Sequence, residues 1–196
     1  MFRITWILVG AMSLAISAAG QTETWQLDPN HSATQFAVRH MGISTVRGTF
    51  TKLSGTVQYD PTDPAKSSVE ATIDAASVDS RVEMRDNDLR GAHFFDVAKY
   101  PTITFKSKRV ELAGKGKLKV TGDLTIHGVT KEVALDVDGP SEPIKDPRGN
   151  MHMGASATTT INRRDFGVGA IPSAMVAEEV AITIDMELVK PSTPSQ

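Results

Sequence analysis

Hydrophobic and polar residues alternate along most of this chain, at the period of two that marks strands with one buried face. After a short strand opening at Trp25 and a turn at Asp28-Pro29-Asn30, the segment from Ser32 to His40 places Phe36, Val38 and His40 on one side, and Gln35 and Arg39 on the other. Val46, Gly48 and Phe50 continue an apolar face, but Leu53, Gly55, Val57 and Tyr59 follow on the opposite parity. A bulge near Thr51 and Lys52 would keep both runs inward and bend the strand, as a closed sheet requires. Beyond a Pro-rich turn at Asp60 to Pro64 the alternation resumes in Val69, Ala71, Ile73 and Ala75, then in Ile103 and Phe105, Val110 and Leu112, and Leu118 to Ile126. The tight turn His127-Gly128-Val129-Thr130 returns into Val133, Leu135 and Val137. An exposed loop is expected from Gly139 to Asn150. Met151 to Ile161 and Val180 to Leu188 complete the pattern. About eight strands at hairpin spacing predict an all-β protein, an antiparallel barrel or sandwich with one apolar face per strand.

Only the stretch from Ser80 to Phe105 turns helical. Val82, Arg85, Asp86 and Leu89 fall on one helical face, Ser80 and Glu83 have the spacing of a capping box, and Gly91 offers a left-handed stop. If Val82 and Leu89 point inward, Arg85 and Asp86 are drawn in with them, either as an ion pair that pins the helix or as a catalytic pair. His93, Phe94, Phe95 and Tyr100 then form an aromatic cluster suited to a lid on one end of a sheet, and Pro101 forces Tyr100 into extended geometry.

The 196 residues begin with Arg3, an apolar run and small residues at Ser17 to Gly20, the organisation of a cleavable secretory signal over residues 1–20. One domain over residues 21–190 and a frayed Pro/Ser-rich tail over 191–196 are expected, with a periplasmic address. No cysteine is present, which excludes a disulfide framework, a lipoprotein anchor and a thiolate nucleophile. A net charge of −2 gives no reason to expect nucleic acid, and the basic run Lys106, Lys108, Arg109, Lys115, Lys117 and Lys119 fits a solvated hairpin face. The five histidines, His31, His40, His93, His127 and His152, show no paired metal-ligand spacing, so a metal would need several to converge from separate loops, and none is expected. No nucleophile elbow or phosphate-cradling glycine loop appears, and no catalytic residue or cofactor is expected.

A barrel of about eight strands either fills itself with side chains or encloses one small ligand. Gly48, Gly55, Ala71, Ala75, Gly122, Ala155 and Ala157 on inward faces leave room, between Phe36, Phe50, Phe105 and the pliable Met151 and Met153. Composition leaves a close-packed core and a cavity equally open.

The motifs Trp25-x-x-Asp28-x-x-His31-Ser32, Phe36-x-Val38-x-His40-Met41-Gly42, Arg85-Asp86-x-Asp88-Leu89, Phe94-Phe95-Asp96, Tyr100-Pro101-x-Ile103-x-Phe105, Gly122-x-Leu124-Thr125-Ile126-His127-Gly128 and Ile161-Asn162-Arg163-x-Asp165-Phe166-Gly167 resemble the YceI-like family in order and approximate spacing. The resemblance covers nearly the whole mature chain; Asp88 stands where the family often carries His. It implies a lipocalin-like antiparallel barrel of about eight strands with a helix at its mouth. It also implies a long apolar tunnel for a polyisoprenoid, quinone-like or fatty chain, a transport, storage or scavenging role with links to stress responses, dimers, and no established catalysis. Transient contact with a membrane or membrane protein is expected as well. With the resemblance, inward parity puts Phe36, Val38, Phe50, Ile73, Phe105, Leu124, Ile126, Met151 and Met153 along the tunnel. His40, Arg85, His93, Tyr100 and Arg163 are then expected near a head group, with Phe94 and Phe95 closing the end. Two alternatives are an enzyme acting on an isoprenoid or amide lipid through His93 and Asp86, and an interaction protein that binds through its sheet edges without a ligand.

Overall fold

A computed structural model describes residues 22–192. The expected signal segment and residues 193–196 of the expected tail lie outside that range. Twelve strand segments form one antiparallel sheet: β1 (Glu23–Leu27), β2 (Ala33–His40), β3 (Ser44–Phe50), β4 (Leu53–Tyr59), β5 (Ser68–Asp74), β6 (Val78–Asp79), β7 (Thr102–Gly114), β8 (Lys117–Ile126), β9 (Val129–Asp138), β10 (Ile144–Lys145), β11 (Met151–Asn162) and β12 (Val176–Lys190). The order β11-β9-β8-β7-β5-β4-β1-β12 closes on itself because β12 also pairs with β11, over twelve registered positions from Met151↔Lys190 to Asn162↔Glu179. β2, β3 and β6 continue the walls begun by β1, β4 and β5, so the twelve segments make a closed barrel of eight staves with one short helix.

The parity switch after Phe50 is built as the sequence suggests. β3 ends at Phe50 and β4 starts at Leu53, and both side chains are buried although their spacing is odd, because the chain bends between them. The expected loop from Gly139 to Asn150 contains the short β10, paired to β11. On the outer wall the lysines of β7 and β8 meet carboxylates of neighbouring strands, Lys106 with Glu70 at 2.7 Å and Lys108 with Asp123 at 2.6 Å, the solvated ladder that strand alternation implies.

The helix α1 (Glu83–Arg90) crosses one end of the barrel, but its termini differ from expectation. Its N-cap is Val82, with no side-chain cap, so the capping box does not form. Ser80 is instead held by Asp86, whose Oδ1 accepts from the Ser80 backbone at 2.8 Å and from its hydroxyl. A buried carboxylate needs donors more than an exposed helix end does. Gly91 has φ −71°, so it ends the helix without the left-handed turn. Val82 points to solvent, leaving Leu89 as the inward apolar residue of the face.

The barrel interior has buried clusters towards each end: Phe50, Ala75, Val78, Ile103, Ile126, Ile161 and Phe166 near the helix, and Trp25, Leu27, Leu53, Met153 and Leu188 on the far side. Between them the wall is apolar but not closely packed.

Candidate ligand cavity

Inward side chains in a filled barrel lose nearly all contact with solvent. Here Phe36, Val38, Val180, Ile182, Ile184 and Met186 face inward yet keep accessible surface, because they border a void of about 560 Å³ that runs along the barrel axis. On β12 alone, alternate residues from Val180 to Leu188 line it, a span of roughly 26 Å along the strand at ~3.3 Å per residue. The hollow interior decides between the two packings that composition left open.

Glycine explains where the wall is thin and where it is not. A Cβ on Gly48 would collide with the ring of Phe36, its cross-strand partner, and one on Gly122 would meet Phe105 Cζ at 2.7 Å. Both positions let an aromatic ring lie against the sheet, so neither leaves open space as the sequence suggested. Gly55, Ala71, Ala155 and Ala157 do border the cavity, and they keep its middle wide.

Of the residues expected at the site, Phe36, Val38, Phe50, Ile73, Phe105, Leu124, Ile126 and Met153 line the void, as do His40, Arg85, Phe94, Phe95 and Arg163 towards the helix. His93, Tyr100 and Met151 do not. His93 is exposed on the segment after α1. Tyr100 packs outside the wall, on Gly128 and edge-on to His127 at 4.6 Å between ring centres; Gly128, at φ +73°, is the residue whose missing Cβ makes room for that ring. Met151 has inward parity but sits at the far end of β11, beyond the void, against the cluster around Trp25. Periodicity gives the face of a strand, not how far along the axis a cavity reaches.

The polar groups near the helix are largely occupied. Arg85 donates through Nε to the Ser80 hydroxyl at 2.7 Å and through Nη2 to the Ser80 carbonyl at 2.8 Å, bracing α1 on the strand end. Arg163 is buried and, among the described residues, pairs with no carboxylate. Its guanidinium donates to the carbonyls of Val168, Gly169, Ile171, Val176 and Ala177, which folds the loop between β11 and β12 over the barrel end. Burial, and then the neighbouring Arg164, pull its pKa below the usual arginine value, against a smaller upward pull from Glu178. Arg163 is therefore a structural clamp with its donors spent, not the free head-group donor that its position near the mouth suggested. Asp86 is committed to Ser80 and His93 stands outside the wall, so the two are not assembled as a catalytic pair at the cavity.

The mouth has residues that sequence reading did not select. Met84, Asp88 and Leu89 of α1 border the void together with Ile171 and Val176. Met84 is 77% exposed while lining it, so the cavity opens to solvent beside the helix. Phe50 stacks edge-on to Phe95 at 5.5 Å and packs near Phe36 at 6.0 Å, forming an aromatic train beneath that opening. The β9 and β12 walls, with Val133, Leu135, Val137, Ile182 and Ile184 among the lining residues, were visible as alternation but not as site.

A closed antiparallel barrel with a long apolar cavity and a helix across its mouth defines a member of the lipocalin-like class of barrels. The model of the YceI-like domain matches residues 25–188, and the chain belongs to that family. It is 36% identical to a UPF0312 protein of Vibrio cholerae over 183 residues, 92% of each chain. Among solved structures it is similar to BcnA of Burkholderia cenocepacia, with a TM-score of 0.73 and 30% identity over 84% of this chain and 99% of that one. It also shares the fold of a Saccharophagus degradans domain described as polyisoprenoid-binding, with a TM-score of 0.61 and 18% identity over 85% of this chain and 98% of that one.

Proposed function

We propose that this protein is a periplasmic carrier or store that holds the hydrocarbon chain of a polyisoprenoid, such as an isoprenoid quinone, or of a similar long lipid, and that it performs no chemistry on it. The observation that carries this is the elongated apolar void, bordered by alternate residues of nearly every stave. A chain without polar groups binds such a wall through burial alone, at ~0.8 kcal/mol per methylene, so few directional contacts are needed. The polyisoprenoid-binding description of the Saccharophagus degradans neighbour agrees with this choice of ligand, and the likeness there is one of fold.

The same end of the barrel suits exchange with a membrane. Met41, Ile43 and Met175 are 54%, 79% and 48% exposed, and the Met41 amide donates to the Met175 carbonyl at 2.8 Å, so the three share one rim. From Ala33 to Tyr59 the chain has no acidic residue, and Arg39 and Arg47 flank the apolar tip. That combination fits a shallow seat among anionic head groups, with the opening beside Met84 turned towards the bilayer.

Titration of delipidated protein with prenyl chains of increasing length tests the ligand. Affinity should rise about fourfold per added methylene, the equivalent of ~0.8 kcal/mol, and level off once the chain outgrows the cavity. No dependence on length would rule out burial of the chain.

A further inference from the structure

On the outer wall, away from the cavity mouth, two histidines and three carboxylates converge from four segments of the chain. Asp28 and His31 belong to the connection between β1 and β2, Glu187 to β12, His152 to β11, and Asp146 to the loop before it. The connection is fixed on β12 by backbone bonding: the Asp28 amide donates to the Glu187 carbonyl at 2.8 Å, and the Glu187 amide to the Ser32 hydroxyl at 3.0 Å. Asp28 Oδ1 is taken by the Asn30 amide at 2.8 Å, which leaves Oδ2 to face His31 Nδ1 at 2.7 Å. Glu187 Oε1 lies 4.0 Å from the same nitrogen and 2.8 Å from His152 Nδ1. His152 Nε2 in turn meets Asp146 Oδ2 at 3.1 Å, and Asp146 is itself held by the Arg148 and Asn150 amides.

Two features separate this group from an ordinary surface cluster. Asp28, His152, Asp146 and Glu187 have side chains 17%, 21%, 23% and 34% exposed, so four of the five groups are partly withdrawn from water, while His31, at 64%, stands open to solvent. Among the described residues no lysine or arginine forms an ion pair with Asp28, Asp146 or Glu187, although elsewhere on the barrel lysines and arginines commonly meet carboxylates. Three carboxylates thus face two imidazoles with no permanent cation, and the hydrogen bonds that His31 and His152 donate to Asp28 and Glu187 respectively hold both above the usual imidazole value. A site of that charge attracts either protons or a metal cation.

We propose that Asp28 Oδ2, His31 Nδ1 and Glu187 Oε1 form a site for a divalent transition ion, Zn²⁺ above all, with water in the fourth position. The three atoms lie within 4.8 Å of one another, and neighbouring donors around tetrahedral zinc are about 3.3 Å apart, so closing the triangle needs only small side-chain movements. A mixed imidazole and carboxylate set suits zinc, nickel or copper rather than magnesium or calcium, which take oxygen alone. His152 and Asp146 are positioning residues: His152 donates to Glu187 and Asp146 orients His152, the outer-shell arrangement typical of histidine–carboxylate metal sites. In the sequence only the Asp28-x-x-His31 spacing is local; the approach of Glu187 and His152 to that pair is invisible there, because they lie far along the chain. The site also departs from the expectation of no metal.

Isothermal titration of the EDTA-treated, dialysed full mature protein with ZnCl₂, in a buffer that does not chelate, tests the site. One equivalent should bind with a dissociation constant in the micromolar range, about 10⁻⁶ M, and thermal unfolding should shift upward by a few degrees. MgCl₂ and CaCl₂ should give neither signal. His31→Ala and Glu187→Gln should abolish the equivalent, and His152→Gln should weaken it roughly 10- to 100-fold, the usual effect of removing an outer-shell partner. His93→Ala, which alters an exposed histidine elsewhere, should leave it intact. Circular dichroism confirms that each variant is folded. Absence of zinc binding, or binding that survives His31→Ala and Glu187→Gln, would overturn the site.

Discussion

Replacing Arg163 with alanine removes the donor of five hydrogen bonds without touching the lipid-facing alternation of the strands. The bonds run to the carbonyls of Val168 at 2.9 Å, Ile171 at 3.1 Å, Val176 at 2.9 Å and Ala177 at 3.0 Å, and to Gly169. Water can reach the carbonyls of the half-buried residues once the guanidinium is gone, but Val168 and Gly169 are buried and their carbonyls stay dry. Each such orphan costs about 1–3 kcal/mol, so the loss is ~3–5 kcal/mol once the vacated volume is included. That is a large share of the roughly 5–15 kcal/mol that holds a typical domain together. Arg163→Lys keeps the charge but has three donors and no planar fork, so an intermediate loss is expected. Urea denaturation followed by tryptophan fluorescence measures both. Should Arg163→Ala cost under ~1 kcal/mol while weakening lipid uptake, Arg163 would be a head-group ligand and the clamp assignment would fall.

The cavity, the mouth and the turns give further expectations. Ala157→Phe places a ring in the middle of the void from a position only 1% exposed, and should cut the affinity for long prenyl chains at least tenfold in the chain-length titration, with shorter chains less affected. Gly48→Ala drives its methyl into the Phe36 ring and should destabilise the barrel by about 1–3 kcal/mol in thermal or urea unfolding, the range for overpacking. Ile43→Glu puts a charge on the apolar rim and should slow lipid transfer from anionic vesicles without lowering affinity in detergent, as followed by stopped-flow fluorescence. Asp60 accepts from the Thr62 hydroxyl and from the amides of Thr62 and Asp63, which hold its pKa below 3.8. Because the folded value is the lower one, its contribution is present above about pH 4 and fades as the pH falls further. Asp60→Asn should therefore flatten the acid limb of a stability profile.

Much of the barrel was legible because strand alternation directly encodes which side chains face inward, and the odd spacing of Phe50 and Leu53 even located the bend. The inward faces of β2, β5, β7 and β8 carry residues that border the void for the same reason. What failed were features decided in three dimensions. Ser80 found a buried carboxylate six residues on instead of the expected Glu83, because desolvation of Asp86 outweighs a cap at an exposed helix end. Met151 shares the parity of Met153 yet misses the void, since periodicity carries no information on depth. Arg163 near a mouth looks alike in sequence whether its donors are free or spent on a loop. The approach of His31 to His152 is set by the closure of β11 on β12 beside β1, a pairing no local pattern reveals.

Organic extraction of the protein purified without detergent from its native compartment, followed by mass spectrometry, addresses the hollow barrel most directly. A long-chain isoprenoid or related lipid should be recovered at close to one molecule per chain, and Ala157→Phe should lower that yield. Recovery of no lipid from the wild-type protein, together with no uptake of prenyl chains when they are supplied, would contradict the assignment.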